Sequence, residues 1–348
     1  MSLPPLTRRQ FISKALIGLG AATTFSGCSS LHTVPPKPQI MTVQGLIDPN
    51  EMGTTLSHEH VLVDFIGAAK VGRDRYNADD VFATVLPHLE RAKALGCRTL
   101  VECTPAYLGR DPRLLQRLAR ASQLQILTNT GYYGAQKNKF LPEHAFHEST
   151  NQLAARWFHE WRAGIDLTEV RPGFIKIGVD AGALSEVHER LVRAAARLHL
   201  SSGLTIAAHT GDGLAALDEL AVLREEGVGS SAFIWVHAQN ESNSDLHVRA
   251  AEAGAWVEFD GIGAQSIPRH VELVQNMKSR GLLRHVLLSQ DAGWYHVGEP
   301  KGGNYQPYDT LFTQFLPALT SAGFGESQIR QLLVENPREA FSIRVRHA

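Results

Sequence analysis

Residues 54–63 read TTLSHEHVLV, an apolar and β-branched run interrupted by two histidines. Such a composition favours a buried strand, and along a strand successive side chains take opposite faces. His58 and His60 therefore share one face, and Glu59 takes the other. In a closed barrel the histidine face looks into the interior, while Glu59 looks out toward the helix layer as a structural residue. Alone, two alternating histidines are equally a hydrogen-bonded core pair.

From about residue 43 onward, short apolar runs alternate with longer amphipathic stretches, with no break or repeat. Strands are expected at Thr54–Val61, Arg98–Thr104, Leu124–Thr130, Phe174–Val179, Leu204–His209, Ala232–His237, Ala255–Phe259 and His285–Gln290. Between them lie helical patterns such as DVFATVLPHLERAKALG, DPRLLQRLARAS and SEVHERLVRAAARLHL. In the last of these, Val187, Leu191, Ala194, Ala195 and Leu198 recur at helical spacing and form one buried stripe. Asp111 before Pro112 is an N-cap followed by proline in the first turn. Eight strands alternating with helices pair in parallel through right-handed crossovers. The fold class is α/β, a (β/α)8 TIM barrel forming one catalytic domain over residues 43–348. No GxGxxG follows the first strand, which argues against a dinucleotide fold.

Polar residues gather where such a barrel does chemistry, at the carboxyl ends of its strands. His58 and His60 end the first strand and Lys176 lies in GFIKIG on the fourth. His209 closes LTIAAH on the fifth, His237 closes AFIWVH on the sixth, and Asp291 follows VLLSQ on the eighth. Imidazole and carboxylate donors suit divalent transition metals, and paired ions make a hydrolytic nucleophile of water. An unpaired ammonium in an apolar strand is costly. Lys176 is therefore deprotonated, paired with a carboxylate, or converted by carbon dioxide to a carbamate able to bridge two cations.

Net charge is −1 from 34 basic and 35 acidic residues, with no basic run, so nucleic acid is not an expected partner. At the amino end, Arg8 and Arg9 precede Phe11 and the mildly apolar ISKALIGLGAATTF. This reads as a twin-arginine export signal over residues 1–28. Phe25-Ser26-Gly27-Cys28 is a lipobox with Cys28 as the acylated residue, the alternative being simple cleavage nearby. Lipidation would contribute about 0.8 kcal/mol of membrane affinity per buried methylene. Residues 29–42, with three prolines in five positions, read as a tether. The expected product is periplasmic and touches the membrane only through its lipid. Cys97 and Cys103 imply no disulfide framework.

Taken together, the order and contexts of these residues resemble the phosphotriesterase family of the amidohydrolase superfamily. The resemblance spans nearly the whole chain beyond residue 43. It includes GTTLSHEH, the YLGRDP segment (Tyr107–Pro112), GFIKIG, HTGDG and the terminal ENP (Glu335–Pro337). It implies a binuclear metal-dependent hydrolase of ester-type bonds. His58, His60 and Asp291 would hold the buried ion, His209 and His237 the more exposed one, and carboxylated Lys176 would bridge both. A hydroxide shared by two divalent ions would attack the substrate, with Asp291 as its proton acceptor. Zinc is the first choice, with cobalt, manganese and iron as alternatives.

Two departures from the family's pattern concern the substrate. Organophosphate-hydrolysing members commonly have a carboxylate three residues after the strand-six histidine, where this chain has Asn240. Lactonases commonly have an arginine after the strand-seven aspartate, where Gly261 follows Asp260. Tyr133 in TGYYG and Trp294 in the glycine-rich segment after Asp291 are the expected substrate contacts, with Tyr295 and His296 beside them. The expected partner is a small ester, a phosphotriester or else a lactone or carboxylic ester with promiscuous phosphotriester turnover. A homodimer is one assembly open to it. A non-catalytic lipoprotein scaffold predicts a missing ligand, and none is missing. A mononuclear deaminase or deacetylase on a related barrel usually lacks the strand-four lysine.

Overall fold

A computed structural model describes residues 38–348. The expected export signal, Cys28 and most of the expected tether lie outside the described residues. The last residues of the segment expected to be a tether are folded. Ile40–Thr42 (β1) pairs antiparallel with Gly45–Ile47 (β2), and all three β1 residues are buried. The cause is Ile40, which joins Met52, Leu127, Phe174, Leu287 and Phe341 in an apolar cluster within the barrel. The fold thus begins before residue 43.

The barrel strands are Thr55–Val63 (β3), Thr99–Glu102 (β4), Gln125–Leu127 (β5) with Asn129–Thr130 (β6), and Phe174–Val179 (β7). They continue as Ile206–Thr210 (β8), Phe233–Val236 (β9), Trp256–Phe259 (β10) and Val286–Leu288 (β11). All neighbouring pairs are parallel, running β3-β4-β5 and β6-β7-β8-β9-β10-β11. The eight positions match the expected alternation. The third is divided at Thr128, whose carbonyl turns to accept the amide of Gly173. Closure between the eighth strand and the first continues past the end of β11. The Asp291 amide donates to His58 O at 3.1 Å, the His60 amide to Ala292 O at 2.9 Å, and Ser57 Oγ to Leu288 O at 3.2 Å.

Helices cover the outside. Pro112–Ser122 is capped by Asp111, whose side chain accepts from the amides of Arg113 and Leu114. Glu186–Ser202 buries Leu191, Ala194, Ala195 and Leu198 of the expected stripe, leaves Val187 half-buried, and also buries Val192 and Ala196. The broader stripe follows from packing against both the sheet and the neighbouring helices Thr150–Ala163 and Gly213–Glu225. The segment after Asp291 contains a strand that its composition hides. Gly293–His296 (β12) lies parallel to β3, with Gly293 opposite His60 and Tyr295 opposite Leu62. Cys97 and Cys103 are buried and free. No helix among the described residues is long and apolar enough to cross a membrane.

Candidate metal centre

Strand periodicity delivers part of the site and backbone exceptions deliver the rest. On β7, Phe174 and Lys176 share the inner face, and on β8 Ala207 and His209 do so. β9 points Ile234 and Val236 inward, so simple alternation would turn His237 outward. His237 instead adopts φ 63°, and the left-handed backbone brings its ring back over the barrel mouth. Asp291 has φ 51° and Trp294 φ 70°. Unusual backbone of this kind outside glycine costs about 1–3 kcal/mol per residue and is held by surrounding contacts.

His58, His60, Lys176, His209, His237 and Asp291 thus line one open cavity of ≈ 490 Å³, with Tyr133, Trp294, Phe65, Cys103, Pro105, Leu108 and Gln136. His58 Nε2 lies 3.3 Å from His60 Nε2 and 3.6 Å from Asp291 Oδ1, and His60 Nε2 lies 3.1 Å from that same oxygen. Four donors about 2.1 Å from a tetrahedral ion lie about 3.4 Å apart. The three donor atoms therefore match the edges of a coordination shell. The amine of Lys176 is buried and has no hydrogen-bond partner among the described residues, and Asp291 Oδ1 likewise accepts no hydrogen bond. These orphaned groups and the nitrogen and oxygen donor set fit divalent cations.

A second grouping, His58 with His237 and Asp260, also lies within ligand reach. Asp260 is completely buried and its oxygens are already engaged. His237 Nδ1 lies 2.7 Å from Oδ1 and Gln239 donates to the same oxygen at 2.7 Å, while the His237 amide donates to Oδ2 at 3.0 Å. His58 Nδ1 is 3.3 Å from Oδ2 and 3.4 Å from Glu258. Asp260 therefore sits behind the rings and aims their other nitrogens at the cavity, as carboxylates commonly do behind ligand histidines. Thr104 Oγ1 serves His60 in the same way, 2.8 Å from Nδ1.

Electrostatics agree with a ligand role. Burial, and then the neighbouring Lys176 charge, hold His58 well below the ordinary histidine range. Burial followed by His237 does the same to His209, and burial lowers His60 against the pull of Asp291. Neutral imidazole is the form that coordinates. At His237 burial lowers the pKa, but Asp260 and then Asp291 outweigh it and the net shift is upward. Asp260 is lowered despite its burial because His237 faces it.

Of the expected substrate contacts, Tyr133 places its hydroxyl 3.2 Å from the His209 ring nitrogens. Trp294 lies against His60, its ring tilted by 38° with centroids 4.2 Å apart, and donates from Nε1 to Asp291 O at 2.6 Å. Tyr295, by contrast, packs into the core, and His296 packs beside Trp294 and Phe65 without lining the cavity. Asn240 is exposed in the turn after His237 and does not line the cavity. Gly261 is hemmed in, because a Cβ there would lie 2.8 Å from Gln239 Nε2. Gln239 occupies the space that a larger residue at 261 would need.

Sequence reasoning missed Glu258 and Asp260 as functional neighbours. Their spacing of two on WVEFD was the available signal, since it places both carboxylates on one strand face. Glu59 faces away from the cavity, as alternation requires, and is fully buried, bonded to the Ser289–Ala292 segment. A larger cleft of ≈ 730 Å³ lies elsewhere, between Arg73, Tyr76, Tyr107, Arg110 and Glu160. Its charged groups are already paired, Arg110 with Glu160 at 2.6 Å and Arg73 with Asp166 at 3.1 Å. No metal-ligand grouping falls there among the described residues.

A parallel (β/α)8 barrel with histidines and a carboxylate converging at the strand ends defines a barrel protein equipped to hold metal. The sequence model described as "Phosphotriesterase family" matches residues 38–341. A phosphotriesterase homology protein of Escherichia coli is 31% identical over 296 residues, covering 83% of this chain and 98% of that one. Another protein of that name, from Mycobacterium tuberculosis, is 29% identical over 319 residues, covering 87% and 98%. An aryldialkylphosphatase of Saccharolobus solfataricus is 25% identical over 307 residues, covering 85% and 97%. The chain belongs to the phosphotriesterase family.

Proposed function

We propose that this protein is a binuclear metal-dependent hydrolase of uncharged ester-type bonds, phosphotriesters or lactones and carboxylic esters. The observation that carries the reading is the orphaned amine of Lys176 in a cavity shared with four histidines and Asp291. His58, His60 and Asp291 would hold one ion and His209 and His237 the other, with Lys176, carboxylated on its amine, between them. Zinc suits the donors, as do cobalt, manganese and iron. When bound, the ions would supply a water acidified to near neutral pH and an electrophile for the substrate's oxygen.

The protein's own residues do the rest. Asp291, whose Oδ1 lies among the ligand nitrogens of His58 and His60, would take the proton released at the reacting water on its carboxylate. Asp260 and Thr104 orient the rings of His237 and His60. Tyr133 offers a hydroxyl beside His209 for a substrate oxygen, and burial keeps that phenol protonated well above its ordinary range. Phe65, Leu108, Pro105 and Trp294 supply apolar walls, and no arginine lines the cavity among the described residues. Those walls support uncharged esters over polyanions.

The aryldialkylphosphatase likeness supports the phosphotriester arm. The aromatic cavity supports either arm. Metal-loaded protein screened against phosphotriesters, lactones and aryl esters tests the reading. Turnover that a chelator abolishes and divalent metal restores is expected. Absence of turnover on all three classes by fully loaded protein would overturn it. We also propose export by the twin-arginine route and lipid anchoring through Cys28 at the periplasmic membrane, supported by Arg8-Arg9 and the Cys28 context.

A further inference from the structure

Between the two histidines of β3 sits a residue that the donor set does not use. Glu59 is completely buried. Its Oε1 accepts from Ser289 Oγ at 2.7 Å and from the Gln290 amide at 3.0 Å, and its Oε2 accepts from the Ala292 amide at 2.7 Å. The two oxygens therefore grip the chain on either side of Asp291. Ser289 extends the grip to β3 itself, because its Oγ accepts the His58 amide at 3.0 Å.

Asp291 needs such a grip. Its backbone is left-handed, with φ 51°, where residues bearing a Cβ are uncommon. β11 ends at Leu288, so regular strand pairing does not reach the ligand. Two backbone bonds hold the segment to β3, from the Asp291 amide to His58 O and from the His60 amide to Ala292 O. These leave the amides of Gln290 and Ala292 pointing at Glu59, where no water is needed to satisfy them.

We infer that Glu59 is a positioning residue whose carboxyl group fixes the place and direction of the Asp291 carboxylate relative to His58 and His60. His-Glu-His then works as a single device: two side chains face the metal site, and the one between them holds the third ligand from behind. The inference rests on the metal-centre reading above. Glutamine cannot replace glutamate here, because one oxygen becomes an NH2 that must face a donor, either the Ala292 amide or the pair from Ser289 and Gln290.

The test uses the full chain as wild type, Glu59→Gln and Ser289→Ala, each stripped of metal and titrated with Co2+ under competition by a chelator. Outer partners of metal ligands typically change affinity by about 10–100-fold. A loss of that size is expected for one of the two ions in Glu59→Gln, with an altered visible Co2+ spectrum and a fall in kcat at little-changed KM. Ser289→Ala should shift affinity in the same direction by less. Folded variants with wild-type affinity and an unchanged spectrum would overturn the inference. If Glu59→Gln does not fold, Ser289→Ala decides, and unchanged Co2+ affinity there overturns it. A wild-type protein that binds no Co2+ would overturn the metal-centre reading itself.

Discussion

Replacing Asp260 by asparagine perturbs the site without touching a proposed ligand, and the structure fixes which ion should suffer. Asp260 receives the His237 ring at 2.7 Å, Gln239 at 2.7 Å and the His237 amide at 3.0 Å. Asparagine has nearly the same shape but one acceptor oxygen, so in either orientation an NH2 meets a donor from His237. Hydrogen bonds to a charged acceptor contribute about 1.5–3 kcal/mol. Losing one such bond corresponds to about 10–100-fold in affinity at about 1.4 kcal/mol per factor of ten. The loss should not be shared equally. His58 faces Asp260 at 3.3 Å but keeps Glu258 at 3.4 Å, whereas His237 has no second carboxylate within 3.5 Å. Asp260→Asn should therefore hold one ion with near wild-type affinity and the other about 10–100-fold more weakly. Metal content after dialysis against graded chelator reads this directly. Equal weakening of both ions, or no weakening, would refute the assignment of Asp260 as the partner that aims His237.

Lys176→Ala should keep its fold, since the amine makes no hydrogen bond that folding would lose. It should lose at least about 100-fold in activity, beyond the usual range for outer partners, and regain part with added short carboxylates. Unchanged activity would exclude a carboxylated lysine. Acid should destabilise the protein partly through His199, which burial lowers from 6.5 to about 4. The folded state keeps this ring neutral, with Nδ1 at Leu204 O and Nε2 accepting the Arg346 amide. Its contribution is intact above about pH 6.5 and is lost as pH falls toward 4, on the order of 3 kcal/mol. His199→Gln should flatten that window in urea titrations at graded pH, and an unchanged slope would count against it. Cys28→Ala should move the protein from the membrane to the soluble periplasmic fraction, and an unchanged distribution would count against lipidation.

The barrel was legible because alternation of apolar runs and amphipathic stretches survives loss of detail at boundaries. Each barrel strand was expected near its observed place, though the third is split at Thr128. β12 was not legible, since Gly293–His296 lies among glycines and aromatic residues and becomes a strand by pairing with β3. β1 was hidden by its neighbouring prolines, although buried Ile40 settles its place. At the site, His58, His60, Lys176 and His209 are in phase with strand alternation. His237 is not, and its left-handed backbone is a property of the folded turn rather than of a pattern. Asp260 and Glu59 were visible as letters, but their roles depend on hydrogen bonds to Gln239, Ser289 and Ala292, residues distant in sequence or unremarkable in type.

The most direct test of the account is the metal content of protein purified without chelator, measured by elemental analysis against accurate protein concentration. About two divalent ions per chain are expected, as a shared binuclear site requires. One ion or none in protein that is folded and offered excess metal would contradict it.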